Sequence, residues 1–368
     1  MRTVLARCAL LPPQPSKDLN NLMRVEEKYM RRALQLARLG AEHTSPNPMV
    51  GAVIVGPGGE IIGEGWHRKC GEAHAEVNAV ASVADANLLK DSTLYVTLEP
   101  CSHYGKTPPC ANLIIERGIP RVVVGCLDPF VKVAGRGVKM LQEAGVEVIT
   151  GVLDQECRDL NRRFMTAHTS GRPWVQLKWA QTADGYIALP PEAGENPLHM
   201  STPVTMRLMH RQRALCDAIV VGANTARIDN PSLTTRQWPG RSPLRVVLSH
   251  DLSIPDNSNL LADGLPTIVY NSVKNETVGA VEYVQLDTGS PLTWLEDLYR
   301  RGVTSVMVEG GTRVLQGLID AGVWDEARIE VSPRRVGQGV VAPLIQGQQI
   351  SRYQIDRNTI THLAPMAH

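Results

Sequence analysis

Apolar residues recur at helical spacing over residues 26–39, and Gly40 closes the run. Short apolar stretches follow. Residues 49–55 and 60–66 read as strands joined at Gly56-Pro57-Gly58-Gly59, a hairpin signal. The pattern then predicts a helix over 74–83, a strand over 93–98 and a helix over 110–117 stopped by Gly118. A strand at 122–125, a helix at 138–143 and a strand at 146–149 continue it. Such alternation calls for an α/β layer with a largely parallel sheet.

A charged helix over 154–168 ends at Thr169-Ser170-Gly171-Arg172-Pro173, where a domain boundary is placed. A strand at 174–180 opens a second α/β unit. Residues 190–197 form a Pro/Gly-rich loop, 206–215 a helix and 218–221 a buried strand. Further strands are predicted at 244–248, 267–270 and 282–286, and the segments 292–301, 303–308, 312–321 and 327–331 continue the alternation. The two halves do not repeat each other.

A length of 368 residues fits two domains, and 43% hydrophobic content supplies ordinary cores. The net charge of +1 argues against a polyanionic partner such as nucleic acid. Six Trp and two Phe are too few for a base-stacking platform. No apolar run approaches the roughly 18 residues that span a bilayer. Seven irregularly spaced cysteines fit a reducing cytoplasm better than a disulfide scaffold. Residues 1–23 read as a disordered extension or an early start ahead of Met23, with a weak targeting segment as the alternative.

The most informative chemistry lies between residues 74 and 110. His74-Ala75-Glu76 is followed by Pro100-Cys101 and Pro109-Cys110. One nitrogen and two sulfurs leave a zinc ion a fourth position for water, whose pKa the metal lowers to about 7. A carboxylate that does not bind the metal can then shuttle protons. The H-x-E…P-C-x-x-C pattern marks zinc deaminases of nucleobases. Here the first half matches, but the cysteines stand nine positions apart. The ligands are assigned as His74, Cys101 and Cys110, with Glu76 as the catalytic proton carrier. A structural zinc with His103 as fourth ligand is the alternative, and Cys70 is a weaker competitor.

Four segments resemble the deaminase half of the bifunctional riboflavin biosynthesis deaminase/reductase family. They are TSPNPMVG at 44–51, GEAHAEV at 71–77, EPCSHYGKTPPC at 99–110 and DPFVKVAGRG at 128–137. The long spacing between the two Pro-Cys pairs is that family's own variant. The resemblance implies that Asn47 meets the pyrimidine and that His67 and Lys106 hold the ribose phosphate. On residues alone, Asn47 could equally cap a turn, and His67 and Lys106 could be solvated. Phe130-Val131 departs from the family's more polar Asn-Pro.

In the second half, Val308-Glu309-Gly310-Gly311 ends a strand before a helix, a turn that lets backbone N–H groups approach phosphate. It is not the G-x-G-x-x-G fingerprint. Leu177-Lys178 with Asp184-Gly185, Gly222-Ala223-Asn224-Thr225 and the run from Asp229-Asn230-Pro231 through Ser232-Leu233-Thr234-Thr235-Arg236 resemble the reductase half of the same family. The resemblance implies an NADPH site of Ala180, His199, Thr225, Asp229, Ser249 and the turn Gly311, Thr312, Arg313, Val314, Leu315, Gln316 and Gly317. Arg213, Leu233, Arg236 and Glu309 would meet the substrate, the two arginines suiting a phosphate. Pro197 and His199 stand where the family commonly has Ser and Trp.

The resemblance spans residues 24 to 365 or so. It implies a cytidine-deaminase-like three-layer domain over 24–170 and a dihydrofolate-reductase-like domain over 171–368. It also implies one Zn²⁺ per chain, NADPH, phosphorylated pyrimidine substrates, a cytoplasmic setting and a dimer or tetramer. Two rivals differ in class: zinc deamination of tRNA or another polynucleotide, and a non-catalytic binding protein with decayed sites.

Overall fold

The computed structural model describes residues 17–104, 108–129, 135–190 and 198–366, with side chains from Glu26 onward. Two compact units emerge. The first comprises residues 1–40, 49–68 and 72–160; the second comprises 41–48, 69–71 and 161–368.

The first unit runs α1 (Lys17–Ala37), β1 (Gly51–Val55), β2 (Ile61–Trp66), α2 (Ala75–Ala81), β3 (Thr93–Leu98), α3 (Cys110–Glu116), β4 (Arg121–Cys126), α4 (Arg136–Glu143), β5 (Glu147–Thr150) and α5 (Asp154–Leu160). Its sheet has the order β2-β1-β3-β4-β5. The β1 strand is antiparallel to both neighbours, while β3, β4 and β5 are parallel. Alternate side chains of a strand face opposite layers. Ala52, Ile54, Leu94, Val96, Val122 and Val124 pack with Ala75, Ala79, Ala111, Ile114 and Leu141 of α2, α3 and α4. The opposite face meets α1, where the rings of Tyr29 and Tyr95 lie 5.0 Å apart. Three layers result.

Small residues set how closely α2 approaches β2. A Cβ on Gly65 would stand 2.3 Å from the Ala79 nitrogen and 2.5 Å from the Ala75 carbonyl oxygen. Only glycine admits that contact, and it fixes the start of α2 over the strand.

The second unit runs α6 (Arg162–Ser170), β6 (Trp174–Thr182), β7 (Tyr186–Ala188), α7 (Pro203–Ala214), β8 (Ala218–Gly222), α8 (Ala223–Asp229), β9 (Leu244–Leu248), α9 (Asn259–Ala262), β10 (Thr267–Asn271), β11 (Glu276–Val278) and β12 (Val281–Gln285). It continues with α10 (Pro291–Arg300), β13 (Ser305–Glu309), α11 (Thr312–Asp320), β14 (Glu326–Ser332), β15 (Val340–Val341), β16 (Gln348–Ile355) and β17 (Asn358–Ala364). Ten strands form one sheet in the order β11-β12-β10-β9-β8-β13-β6-β14-β17-β16. The seven from β12 to β14 pair in parallel, and the outer strands are antiparallel. One large cluster packs Val175, Leu177, Val220, Val306 and Val308 against Trp294, Leu298, Leu315 and Leu318.

The α/β expectation is met, with local departures. The single helix predicted over 154–168 is two helices, because Asn161 leaves the helical conformation at φ −103°, ψ 20°. The α7 helix starts at Pro203, ahead of the predicted residue 206. Thr202 and Thr205 form a capping box there, and Pro at N1 suits the first turn. Neither α8 nor the β16–β17 hairpin was predicted. The α1 backbone is helical from Lys17, inside the expected extension, whose first sixteen residues lie outside the described ones.

Gly65→Ala should therefore destabilise the chain by about 1–3 kcal/mol and loosen the residues at the start of α2. Denaturant unfolding measures the first effect, and an unchanged midpoint would contradict the packing described.

Candidate active sites

His74 is the N-cap residue of α2, with extended φ −70° and ψ 167°, and Glu76 lies in its first turn. Cys101 follows the end of β3, and Cys110 opens α3 after Pro109. Strand ends and helix starts thus deliver all four side chains. His74 Nδ1 lies 3.3 Å from Cys110 Sγ and 3.6 Å from Cys101 Sγ. The Cys110 backbone N–H donates to Cys101 Sγ at 3.2 Å. Among the described residues these three form the one cluster of potential metal ligands, with donor atoms all within 4.8 Å of one another. A tetrahedral Zn²⁺ with bonds of about 2.0–2.3 Å brings its donors to roughly 3.5–3.8 Å of one another. The donor set therefore fits zinc in identity and spacing. Neither His103 nor Cys70 belongs to the cluster, so a four-ligand structural site finds no support among the described residues.

Glu76 is only 3% exposed. Burial, and then the charge of Cys101, push its carboxyl up to about 7, while its side chain also meets the Cys110 thiol. A hydrogen bond from Cys110 and contact with His74 draw the Cys101 thiol down, favouring a thiolate. A buried carboxyl beside metal donors is placed to accept and give a proton.

Of the expected substrate residues, His67 is buried, and its Nδ1 lies 3.1 Å from the Ala73 carbonyl oxygen. Its ring stands edge-on to His74 with centroids 5.5 Å apart. Asn47 belongs to segment 41–48 of the second unit, where its backbone N–H donates to Thr44. Lys106 lies outside the described residues, as do Phe130 and Val131.

In the second unit the parallel strands β9, β8, β13 and β6 are neighbours, so their carboxyl ends meet at one edge. Ligands of open α/β sheets bind in that position. Ala180 lies towards the end of β6, Ser249 just after β9 and Thr225 in α8 directly after β8. Gly310 and Gly311 follow β13 with φ of +86° and +72°. A Cβ on Gly311 would come within 3.3 Å of Thr225 Oγ1, which places Thr225 against the glycine turn. Ser249 Oγ is buried without a hydrogen-bond partner among the described residues. An orphan hydroxyl and a tight glycine turn at a helix start suit a phosphate-bearing cofactor.

Two family models match the chain. The RibD C-terminal domain covers residues 173–367, and the cytidine and deoxycytidylate deaminase zinc-binding region covers 23–126. The riboflavin biosynthesis protein RibD of Bacillus amyloliquefaciens is 41% identical over 337 residues, covering 88% of this chain and 89% of that one. The Aquifex aeolicus protein of the same name is 38% identical, with 86% and 89% coverage. The chain belongs to the RibD family.

Solved structures agree. Acinetobacter baumannii RibD superposes with a TM-score of 0.85 at 30% identity, covering 94% of this chain and all of the other. The Thermotoga maritima diaminohydroxyphosphoribosylaminopyrimidine deaminase/5-amino-6-(5-phosphoribosylamino)uracil reductase gives 0.84 at 35% identity, again with 94% and 100% coverage. As a RibD protein, the chain is a bifunctional deaminase/reductase of riboflavin biosynthesis. It joins a zinc-binding deaminase region to an NADPH-dependent reductase domain. Among the described residues no helix is long and apolar enough to cross a membrane.

Within this RibD frame the structure shows where the other expected side chains lie. Arg213 was expected to fork around a phosphate. In the structure its Nε and Nη2 donate to the two oxygens of Glu309, also expected at the substrate, at 2.9 and 2.7 Å, and Nη1 donates to the Thr234 carbonyl at 3.1 Å. Burial works against the Glu309 charge, but Arg213 and Lys178 outweigh it and hold the carboxyl down to about 2. Arg236 is exposed and has no acidic partner among the described residues. Leu233, expected at the substrate, is buried with Ile219, Val247 and Leu260, and its φ is +55°. The Leu315 side chain likewise belongs to the core. Thr312 Oγ1 donates to the Val341 carbonyl, Gln316 bonds Asp320 and Leu344, and Val314 packs against the core. Arg313 and Gly317 lie on α11 and Asp229 ends α8. His199 is exposed, and its carbonyl accepts from Arg334; Pro197 lies outside the described residues.

Lys178 was quoted only as part of a motif. It pairs in register with Glu309 and Arg328, and burial pushes its ammonium pKa down among Glu309, Arg328, Arg213 and Glu330. A lysine inside a central strand was the available signal. Cys110→Ala should reduce zinc from one ion per purified chain to nearly none by elemental analysis; a full equivalent retained would contradict the ligand set.

Proposed function

We propose that residues 24–170 hydrolyse the exocyclic 2-amino group of 2,5-diamino-6-(5-phosphoribosylamino)pyrimidin-4(3H)-one. The products are ammonia and 5-amino-6-(5-phosphoribosylamino)uracil. The carrying observation is a buried carboxyl, Glu76, against three zinc-type donor atoms. His74, Cys101 and Cys110 would hold the zinc, which supplies acidified water at neutral pH. Glu76 would take a proton from the attacking water and deliver it to the leaving amine. Proton transfer of this kind contributes about 10²–10⁴-fold. Asn47, His67 and Lys106 are assigned to the pyrimidine and its phosphoribosyl arm.

Residues 171–368 then reduce the ribosyl group to ribityl with NADPH. Gly311 and the first residues of α11 through Gly317, with Thr225, Ala180, Asp229, Ser249 and His199, are assigned to the cofactor. Arg213, Leu233, Arg236 and Glu309 are assigned to the substrate, with the exposed Arg236 guanidinium at its phosphate. The Arg213–Glu309 pair lines the same loop. Positioning of the two reactants is the protein's main contribution to hydride transfer. The near-neutral charge and the full second domain disfavour a polynucleotide substrate.

Glu76→Gln should retain zinc and lose at least 10²-fold in ammonia release, yet still oxidise NADPH when given the deaminated intermediate. Full ammonia release in this variant would refute the role of Glu76. A cytoplasmic dimer or tetramer is proposed with these activities, on the family resemblance. Light scattering that gives the mass of a single chain at micromolar concentration would contradict it.

A further inference from the structure

The loop that carries Arg236 is fastened to α7 by two side chains. His210 is 2% exposed, and its Nδ1 accepts the Arg236 backbone N–H at 3.0 Å. Arg213, nearly one turn further along the helix, holds the Thr234 carbonyl and is itself locked to Glu309. Between these two anchors and the buried Leu233, the backbone over 233–236 is fixed while the Arg236 side chain remains exposed.

An imidazole nitrogen can accept an N–H only while it keeps its lone pair. The His210 ring must therefore be neutral, with its proton on Nε2. Protonation at Nδ1 would set one N–H against another. The charged groups facing the ring are Arg213 on the same helix, Arg236 on the loop and Glu309 at the end of β13. Burial, followed by the two guanidinium groups, holds the ring below the usual histidine range, and Glu309 and the Thr234 backbone oppose them in part.

We infer that His210 is a positioning residue of the reductase, its neutral ring holding the Arg236 loop in the shape that receives the substrate's phosphate. This rests on the assignment of Arg236 to that phosphate. The sign follows directly. As pH falls below the usual histidine range, the ring gains a proton, the loop loses its anchor and substrate KM rises. The NADPH KM does not follow. The phosphate also gains a proton near pH 6, so a variant that cannot titrate separates the two effects.

The test measures reductase kinetics of the full chain on the deaminated intermediate across pH. His210→Ala should raise substrate KM about tenfold at neutral pH, the worth of one buried hydrogen bond, with NADPH KM unchanged. His210→Asn places Oδ1 where Nδ1 stood. It should restore the neutral-pH KM and flatten the acid-side rise to that of the phosphate alone. An unaltered KM in His210→Ala, an undiminished acid rise in His210→Asn, or parallel rises in both KM values would overturn the inference. Arg236→Ala separates the levels. If it leaves substrate KM unchanged, the phosphate assignment itself fails. If it raises KM while His210→Ala is silent, only the positioning role fails.

Discussion

Parallel strand pairing is the constraint on which both sites depend. Parallel neighbours cannot be joined by a tight turn, so each strand must return through a crossover, usually a helix. All carboxyl ends then gather at one edge, with the starts of the following helices beside them. In the first unit this edge carries Cys101 after β3 and Cys110 at the start of α3. In the second it gathers Ala180, Thr225, Ser249 and the Gly310-Gly311 turn from four adjacent strands. Backbone N–H groups left over at helix starts favour thiolate and phosphate alike.

The second physical theme is charge removed from water and matched by a partner. A buried ion is costly unless paired and hydrogen-bonded. Glu309 meets that condition through Arg213 and Lys178. Glu330, fully buried, accepts from Thr205 at 2.6 Å, Asn358 at 2.6 Å and Ser201 at 3.1 Å. These contacts join the start of α7 to the last strands of the sheet. Glu76 has no Arg or Lys ion pair among the described residues; it stands instead beside the candidate metal donors His74, Cys101 and Cys110. The contrast separates a carboxylate that organises structure from a carboxyl suited to moving protons.

The cluster of potential zinc donors was legible because each sits beside a local signal: a helix start for His74, a proline before each cysteine. The glycine turn after β13 was legible for the same reason. Side-chain direction was not. Leu233 looks like a loop residue in sequence, yet its positive φ turns it into the core. Arg213 looks free, yet its partner Glu309 lies 96 positions away. The β16 strand is mostly exposed and shows no apolar alternation, so the hairpin with β17 left little trace. The α8 helix is only seven residues long and follows a strand without a pause. Long-range pairing decides these features, and local pattern does not carry it.

The central claim is that one chain performs two ordered reactions with separate side-chain sets. The most direct measurement supplies the diaminopyrimidine ribosyl phosphate, zinc and NADPH, and follows ammonia and NADPH absorbance together. Ammonia release preceding NADPH oxidation, in equal final amounts, is the predicted result. Neither signal from a chain shown to bind zinc, or NADPH oxidation ahead of ammonia, would contradict the account.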